Sequence, residues 1–496
     1  MSAPKDVQFS LKVMINRDKT KVLFAEADSD FTDILLSFLT LPLGKIAKLL
    51  VEHYGGDTPV VGSLTSLYNG LVNLDVVHFH TETGKQMLLN PRSVFDKECL
   101  KLKLNFCDSE PTKYFTCEWP IRGKHNFSMY YDTVGCDCGI TMSKETELRS
   151  SEAAEGGNDR VFCTKGASFI IGDDMRVAPN VAGSVLRTLA ELGIRDTKGA
   201  EMRNVTFGYN EIIDLLRGML VSRTPLTDVI IGKAQTNSGV FLPKTVVKAP
   251  KTEEATVSNF EKTMILNVMV QKSKQKLIFA QAKDDFTDSL FSLLTIPLGG
   301  ALSLLGTKTG VTCIDNFYVS VENINGDEYL KTKDTKTKLR NTQLPIGYMS
   351  PSQLFPLTEG GFPELHIVAT GLPGPRQLVY LSPSTVAHTK VSSGYMTCIE
   401  SNLLHLKSPK GNGNYVKGPT MYMVTDDLTV TPLCLTSSLS ILDRLGIPLS
   451  DVEELELKIG LEEALSILKA SLTSTSALTN GLFGPSLKKR VKQEEH

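Results

Sequence analysis

The chain has no excess of charge of either sign. Its 53 Lys and Arg stand against 55 Asp and Glu, a formal net charge of −2, so no overall field draws nucleic acid or an anionic membrane onto the molecule. No run approaches the roughly 18 apolar residues of a membrane span. The opening MSAPKDVQFSLK lacks the basic stretch and apolar core of a secretory leader. These absences predict a cytoplasmic protein, exclude a membrane partner and disfavour nucleic acid. The sequence also contains no GxSxG, GxxxxGK[ST] or HExxH, and no strand–GxGxxG–helix unit. Serine hydrolysis, phosphate cradling, zinc proteolysis and dinucleotide binding use those patterns. Motifs therefore assign no catalytic and no cofactor-binding residue.

What is present is written twice. Residues 24–44, FAEADSDFTDILLSFLTLPLG, return at 279–299 as FAQAKDDFTDSLFSLLTIPLG. Aligning 11–50 with 266–305 needs no gap at an offset of 255, and 21 of the 40 positions are identical. A second block, 169–194, answers 422–447 at an offset of 253, with Asp173, Asp174, Val177, Pro179 and Gly193 among the recurring positions. A chain of 496 residues exceeds what one hydrophobic core normally supports, and the duplication agrees. The expectation is an α+β fold of two duplicated tandem domains, each an antiparallel sheet of β-hairpins packed by amphipathic helices.

The local chemistry of the repeat is legible. Leu11, Val13 and Ile15 alternate as in a half-buried strand. A turn at 16–21 leads to a return strand. Asp30 and Asp33 then suit the capped first turn of a helix, with Phe31, Ile34, Leu35, Phe38 and Leu39 on one face. Pro42 and Pro297 break that helix. Further along, 62–74 reads as an amphipathic helix with a weaker echo at 317–325. His78 and His80 would share one side of a strand, and 100–104 (LKLKL) a half-exposed strand. Amphipathic helices close the halves, with stripes at Ile212, Ile213, Leu216 and Leu220 and at Leu461, Leu465, Leu468 and Leu472. Residues 340–414, rich in Pro and Gly, carry little periodicity.

The predicted boundaries are 1–232 for the first repeat domain, 233–259 for a polar linker, 260–484 for the second repeat domain and 485–496 for a basic, disordered tail. Lys488, Lys489, Arg490 and Lys492 keep open a nuclear localisation, against the plainer reading of a solvated tail.

Six of the nine cysteines lie between Cys99 and Cys163, in an insertion at about 99–163 without equivalent in the second half. Nine is an odd number, and in a reducing compartment cysteines read as thiols or metal ligands rather than as a disulfide frame. Cys136 and Cys138 form a Cys-X-Cys-Gly turn that can present two thiolates to one ion. Cys117 and His125 complete a tetrahedral set for a structural zinc. The spacing departs from paired Cys-X-X-Cys knuckles, so reduced thiols in a loop stand as the alternative. Asp173 with Asp174 and Asp426 with Asp427 are acidic pairs that could take Mg²⁺ or Ca²⁺. Turn chemistry, with the carboxylates bonding local amides, is the more frequent use.

These residues resemble a family of plant proteins that carry the domain of unknown function 674. The pieces that carry the resemblance are 11–44, LLNPR at 88–92, EPTKYFTC at 110–117, KGASFIIGDD at 165–174, VKGPTMYMVTDDLTVTPL at 416–433 and the helix at 462–479. The likeness spans nearly the whole chain. It implies a plant origin and an intracellular protein, and brings no reaction, substrate or catalytic residue. Some members of the family carry a fuller set of paired cysteines after the EPTKYF-like stretch, whereas here a second cysteine near Cys117 is missing.

The functional expectation is a non-enzymatic interaction or adaptor protein with a protein partner. The alternatives are an enzyme with a site in the cleft between the halves, using the acidic turns with His78, His80 or His405, and a nuclear regulatory protein with a zinc loop. An enzyme requires those acids and histidines to converge in one concave site.

Overall fold

The computed structural model describes residues 7–118, 125–149, 161–191, 193–194, 197–232, 262–306, 309–360, 365–370, 378–383, 398–410 and 413–483. The predicted linker at 233–259 and the basic tail lie outside the described residues. The first half supplies β1 (Phe9–Ile15), β2 (Val22–Asp28), β3 (Phe115–Thr116), β4 (Asn126–Ser128), β5 (Lys144–Glu145), β6 (Ser168–Gly172), β7 (Val177–Pro179) and β8 (Glu201–Phe207). The second half supplies β9 (Met264–Gln271), β10 (Lys276–Ala282), β11 (Leu365–Thr370), β12 (Leu378–Ser382), β13 (Cys398–Leu406), β14 (Tyr422–Thr425), β15 (Val430–Pro432) and β16 (Val452–Ile459).

Helices and antiparallel sheets together make an α+β fold. One sheet has the order β7-β6-β2-β1-β8 and another the order β15-β14-β10-β9-β16, so matched strands occupy matched places. Alternation drives both. β1 buries Phe9, Leu11, Val13 and Ile15 and turns Ser10 and Lys12 outward, as period-two side chains must.

Between the sheets the halves interlock. Pro42 and Pro297 end the preceding helical runs and start new helices at Leu43–Tyr54 and Leu298–Leu305. Their two loops bond to each other: Leu43 N–H donates to the Ile296 carbonyl at 2.9 Å, and Leu298 N–H to the Leu41 carbonyl at 2.8 Å. Farther out, helix Leu64–Asn73 packs on β15 and helix Thr312–Asn323 on β7, each on the other half's sheet. Gly70 is required there, since a Cβ would come within 2.9 Å of Val430 N. At the matching place Ser320 instead accepts the Val177 N–H through its Oγ at 3.0 Å. Ser63 Oγ donates to the Ser474 carbonyl and Cys313 Sγ to the Ser222 carbonyl, again reciprocally. One hydrophobic cluster consequently runs from Phe9 to Leu482 through both halves.

The fold corrects several expectations. Helix Ser29–Phe38 buries every residue except Asp30 rather than one stripe: Phe31 packs edge-on to Phe9 and Phe207, Phe38 packs on Phe106, and Asp33 accepts the Phe162 and Cys163 N–H groups, all from the same half. Its cap is Asp28, whose Oδ1 accepts Phe31 N–H at 2.9 Å, not Asp30, and the matching Lys283 provides no side-chain cap. Residues 76–78 form a short 3₁₀ turn capped by Asp75 instead of a strand. Residues 100–104 alternate in burial but make helical-type turn bonds after Asp96–Cys99, with no partner strand alongside. In helix Leu461–Thr473 the buried face is Ala464, Ile467, Leu468, Ser471 and Leu472, leaving Leu461 41% exposed.

A third sheet, β12-β11-β13-β4-β3-β5, draws strands from both halves. Its centre is a parallel pairing of β13 with β4, His405 opposite Asn126. At its edges Leu148 bridges Leu381, with Leu381 N–H on the Glu147 carbonyl and Arg149 N–H on the Leu381 carbonyl, both 2.8 Å. The edges therefore meet, and the sheet closes around Tyr114, Phe127, Leu365, Ile367, Leu381 and Leu404. Three of its strands come from the stretch 340–414, where LHIVAT, LVYLS and CIESNLLHL do not alternate apolar with polar residues and so left no periodicity to read.

Candidate metal centre

The closed sheet carries the cysteine cluster at one end. Cys117 directly follows β3 and His125 directly precedes β4, so the pairing of these two short strands sets their separation. Residues 134–142 form a tight knuckle: Cys136 N–H donates to the Ile140 carbonyl at 2.8 Å, and Gly139 N–H to the Cys136 carbonyl at 2.9 Å. Gly139 has φ +85°, the left-handed region that glycine enters without strain. The knuckle turns both Cys136 and Cys138 toward Cys117.

One ligand atom from each of Cys117, His125, Cys136 and Cys138 lies within 4.8 Å of every other. Cys117 Sγ is 3.2 Å and Cys136 Sγ 3.6 Å from His125 Nδ1. A tetrahedral zinc with Zn–S of about 2.3 Å and Zn–N of about 2.0–2.1 Å sets its ligand atoms roughly 3.5–3.8 Å apart. The cluster is close to that scale, its ligand atoms lying between 3.2 Å and at most 4.8 Å apart. Cys117, Cys136 and His125 are buried, and Cys138 is at the surface. Asn126 N–H points at Cys136 Sγ at 3.4 Å, while Asn126 Oδ1 accepts Asp137 N–H at 2.9 Å. Outer contacts of this kind orient ligands. Asn126 was not apparent from the sequence, although its place beside His125 was the available signal.

Without an ion the thiols differ. Burial pushes the Cys117 thiol up to about 12, with a hydrogen bond to Cys138 acting in the same direction. The Ile140 amide holds Cys138 below the usual thiol range. A dication among them favours every thiolate. Four protein ligands fill a tetrahedron, which is the arrangement of a closed structural site rather than a catalytic one with an open position. The knuckle is also tied to the second half, since Lys407 Nζ meets Asp137 Oδ1 at 2.8 Å.

The acidic pairs lie elsewhere and serve the fold. Asp173 accepts Thr227 N–H at 2.9 Å and Thr227 Oγ1–H at 2.7 Å, at the start of helix Pro225–Ile231. Asp426 likewise accepts Thr479 N–H at 2.8 Å, at the start of helix Ala477–Leu482. Asp174 and Asp427 bond amides two residues on, at Arg176 and Thr429, around Met175 and Leu428 with φ +64° and +67°. This is turn chemistry. His78 lies against the Tyr422 ring, whereas His405 sits in β13 opposite Asn126. No hydrogen bond among the described residues joins these histidines to the acidic pairs.

A different pair of carboxylates carries unexpected weight. Asp33 accepts Phe162 and Cys163 N–H at 3.1 and 2.7 Å, and Asp288 accepts Tyr415 and Val416 N–H at 2.6 and 2.9 Å. Burial raises the pKa of both above the ordinary carboxylate value. Their identity in both copies was visible, but a first-turn position suggested dipole compensation rather than these latches.

An α+β chain with two matched sheets, a third sheet shared between its halves and a Cys₃His cluster at that sheet's end is thus defined by its own geometry. The chain belongs to the family described as "Protein of unknown function (DUF674)", whose model matches residues 5–461. No curated protein and no solved structure matches it. Among the described residues, no helix is long and apolar enough to cross a membrane.

Proposed function

We propose that this protein is a non-enzymatic interaction protein, an adaptor, whose shared third sheet is braced by one structural zinc on Cys117, His125, Cys136 and Cys138. The observation that carries the reading is the convergence of those four ligand atoms within 4.8 Å of one another. Zinc on this set would join the ends of β3 and β4 to the knuckle at 134–142, and so stiffen the only sheet to which both halves contribute strands among the described residues. A binding role rather than catalysis is supported by the filled tetrahedron and by the use of the acidic pairs in caps and turns. Zinc thiolates and free cysteines suit the reducing interior of a cell, here a plant cell on the family resemblance, with the cytoplasm as the site of action and a protein as the partner.

Native mass spectrometry of the purified full chain tests the zinc. One zinc per chain is expected in the wild type and none in Cys136→Ser/Cys138→Ser. A wild type that carries no metal, and takes none up from added zinc, sinks the reading.

A further inference from the structure

The first half contains a cavity of about 290 Å³, distinct from the zinc cluster, between helix Leu43–Tyr54, the LLNPR segment and Tyr348 of the second half. At about 30 Å³ per water-sized group, it holds a molecule of roughly ten such groups. Its wall includes Lys45, which is only 7% exposed.

Buried ammonium groups are normally paired with an anion. Lys45 is not. Its Nζ donates at 2.8 Å to Asn90 Oδ1, a neutral oxygen that also accepts Lys48 Nζ at 3.3 Å. Two cations therefore converge on one amide carbonyl, and among the described residues no carboxylate lies within ion-pair distance of Lys45.

Two further donors face the same space. Arg92 Nε reaches Asp96 Oδ2 only at 3.4 Å, and its Nη2 reaches the Glu110 carbonyl at 3.4 Å, both long for a charge-assisted bond. Tyr348 is 1% exposed, and its oxygen already accepts Arg92 N–H and Tyr130 O–H, each at 3.2 Å. Its own hydrogen remains to be donated. Of the acids in the wall, Asp108 and Glu110 are at the exposed rim, and Asp96 lies deeper, beside Arg92, so that Lys45 and Arg92 together outnumber its single charge at the buried end.

The second half supplies an internal control. Lys45 corresponds to Gly300 in the gap-free alignment. A Cβ on Gly300 would come within 2.8 Å of the Thr342 carbonyl, so the matched space is filled by backbone. The shared frame thus needs no lysine here, and Lys45 has no counterpart at the matched position of the second half.

From this geometry we infer that the cavity is a binding site for a small oxyanion-bearing molecule, a carboxylate or phosphate monoester, with its anionic end on Lys45, Arg92 and Tyr348. Burial depresses the pKa of Lys45, with Lys48 acting in the same direction. A bound anion would relieve both effects. Cys107, Asp108 and Asp96, which also line the cavity, act in the opposite direction to burial, Cys107 foremost.

Isothermal titration calorimetry of the full chain with inorganic phosphate, and separately with benzoate, tests the site at constant ionic strength. Saturable binding of at least one probe is expected, weakened tenfold or more in Lys45→Met and retained in Lys45→Arg. Phosphate binding alone points to a phosphate monoester, benzoate binding alone to a carboxylate. Circular dichroism establishes that each variant is folded, and Arg92→Gln, with the same expected loss, substitutes for one that is not. Binding of neither probe, or equal binding by wild type and Lys45→Met, overturns the inference. So does alkylation of Cys107 by iodoacetamide at neutral pH that is lost in Lys45→Met and unaffected by either probe, since the thiolate would then be the counter-ion.

Discussion

The two halves share their sheets, latches and helix starts and differ at particular side chains. Each has a five-stranded sheet of matching order, an aspartate latch at Asp33 or Asp288, and a helix start capped by Asp173 or Asp426. They part company at Lys45 and Gly300, and at the cysteine knuckle, which only the first half carries. The latches, caps and proline loops recur because any chain with this interlocked frame must satisfy the same buried amides. Features found once are free of that demand. A position that departs from an otherwise conserved internal repeat is consequently the better pointer to function in this molecule.

The largest effects should come from breaking the matched latches. Asp288→Ala leaves the buried Tyr415 and Val416 amides without their acceptor and leaves the Ser350 hydroxyl only Asn414 Oδ1, at 3.3 Å, and the expected loss is about 3–5 kcal/mol. Asp33→Ala removes the acceptor of the Phe162 and Cys163 amides and should cost a similar amount. Urea denaturation measures both. A loss below about 1 kcal/mol in either, against the range expected for unsatisfied buried groups, would show that the latches are not equivalent.

A smaller effect, carrying a sign in pH, concerns the capping aspartates. Burial raises the pKa of Asp173 from the ordinary aspartate value of 3.8 to about 6, against the opposing hydrogen bonds from Thr227. The folded state then holds the proton more tightly than the unfolded state. Its contribution to stability is fully present below the unfolded value and is lost as pH rises through about 6. The amplitude is on the order of 3 kcal/mol. Asp173→Asn should flatten that part of the wild-type stability curve between pH 4 and 6, read by thermal denaturation across the range. A curve unchanged by the substitution refutes the assignment. Asp426 is also raised by burial, with Lys276 Nζ 3.6 Å away opposing the shift.

The smallest expected difference separates two helix starts. Asp28→Ala removes a side-chain cap and should cost about 1 kcal/mol, whereas Lys283→Ala, which removes none, should be close to neutral. Equal losses in the same denaturation experiment would mean that the cap at Asp28 contributes nothing measurable.

Much of this frame could be read from residues alone. The alternation at Leu11, Val13 and Ile15, the breaks at Pro42 and Pro297 and the helix over 62–74 rest on local sterics and periodicity, and short-range rules suffice for them. The four zinc-ligand candidates were equally visible, because their residue types announce their chemistry. Other features were out of reach. The LKLKL stretch at 100–104 meets no partner strand among the described residues, and β11 to β13 do not alternate apolar with polar residues. The partnership of Asp33 with amides about 130 residues away left no local trace.

By itself the amino-acid sequence determined the two copies, their strands, their proline breaks and the residue types gathered between Cys99 and Cys163. Only the tertiary structure decided that each half's helix packs on the other's sheet, that β4 pairs with β13, and that Lys45 is buried beside a cavity while Gly300 is packed solid. The reason is range: propensity and periodicity act over a few residues, whereas burial depends on which distant surface arrives to cover a side chain.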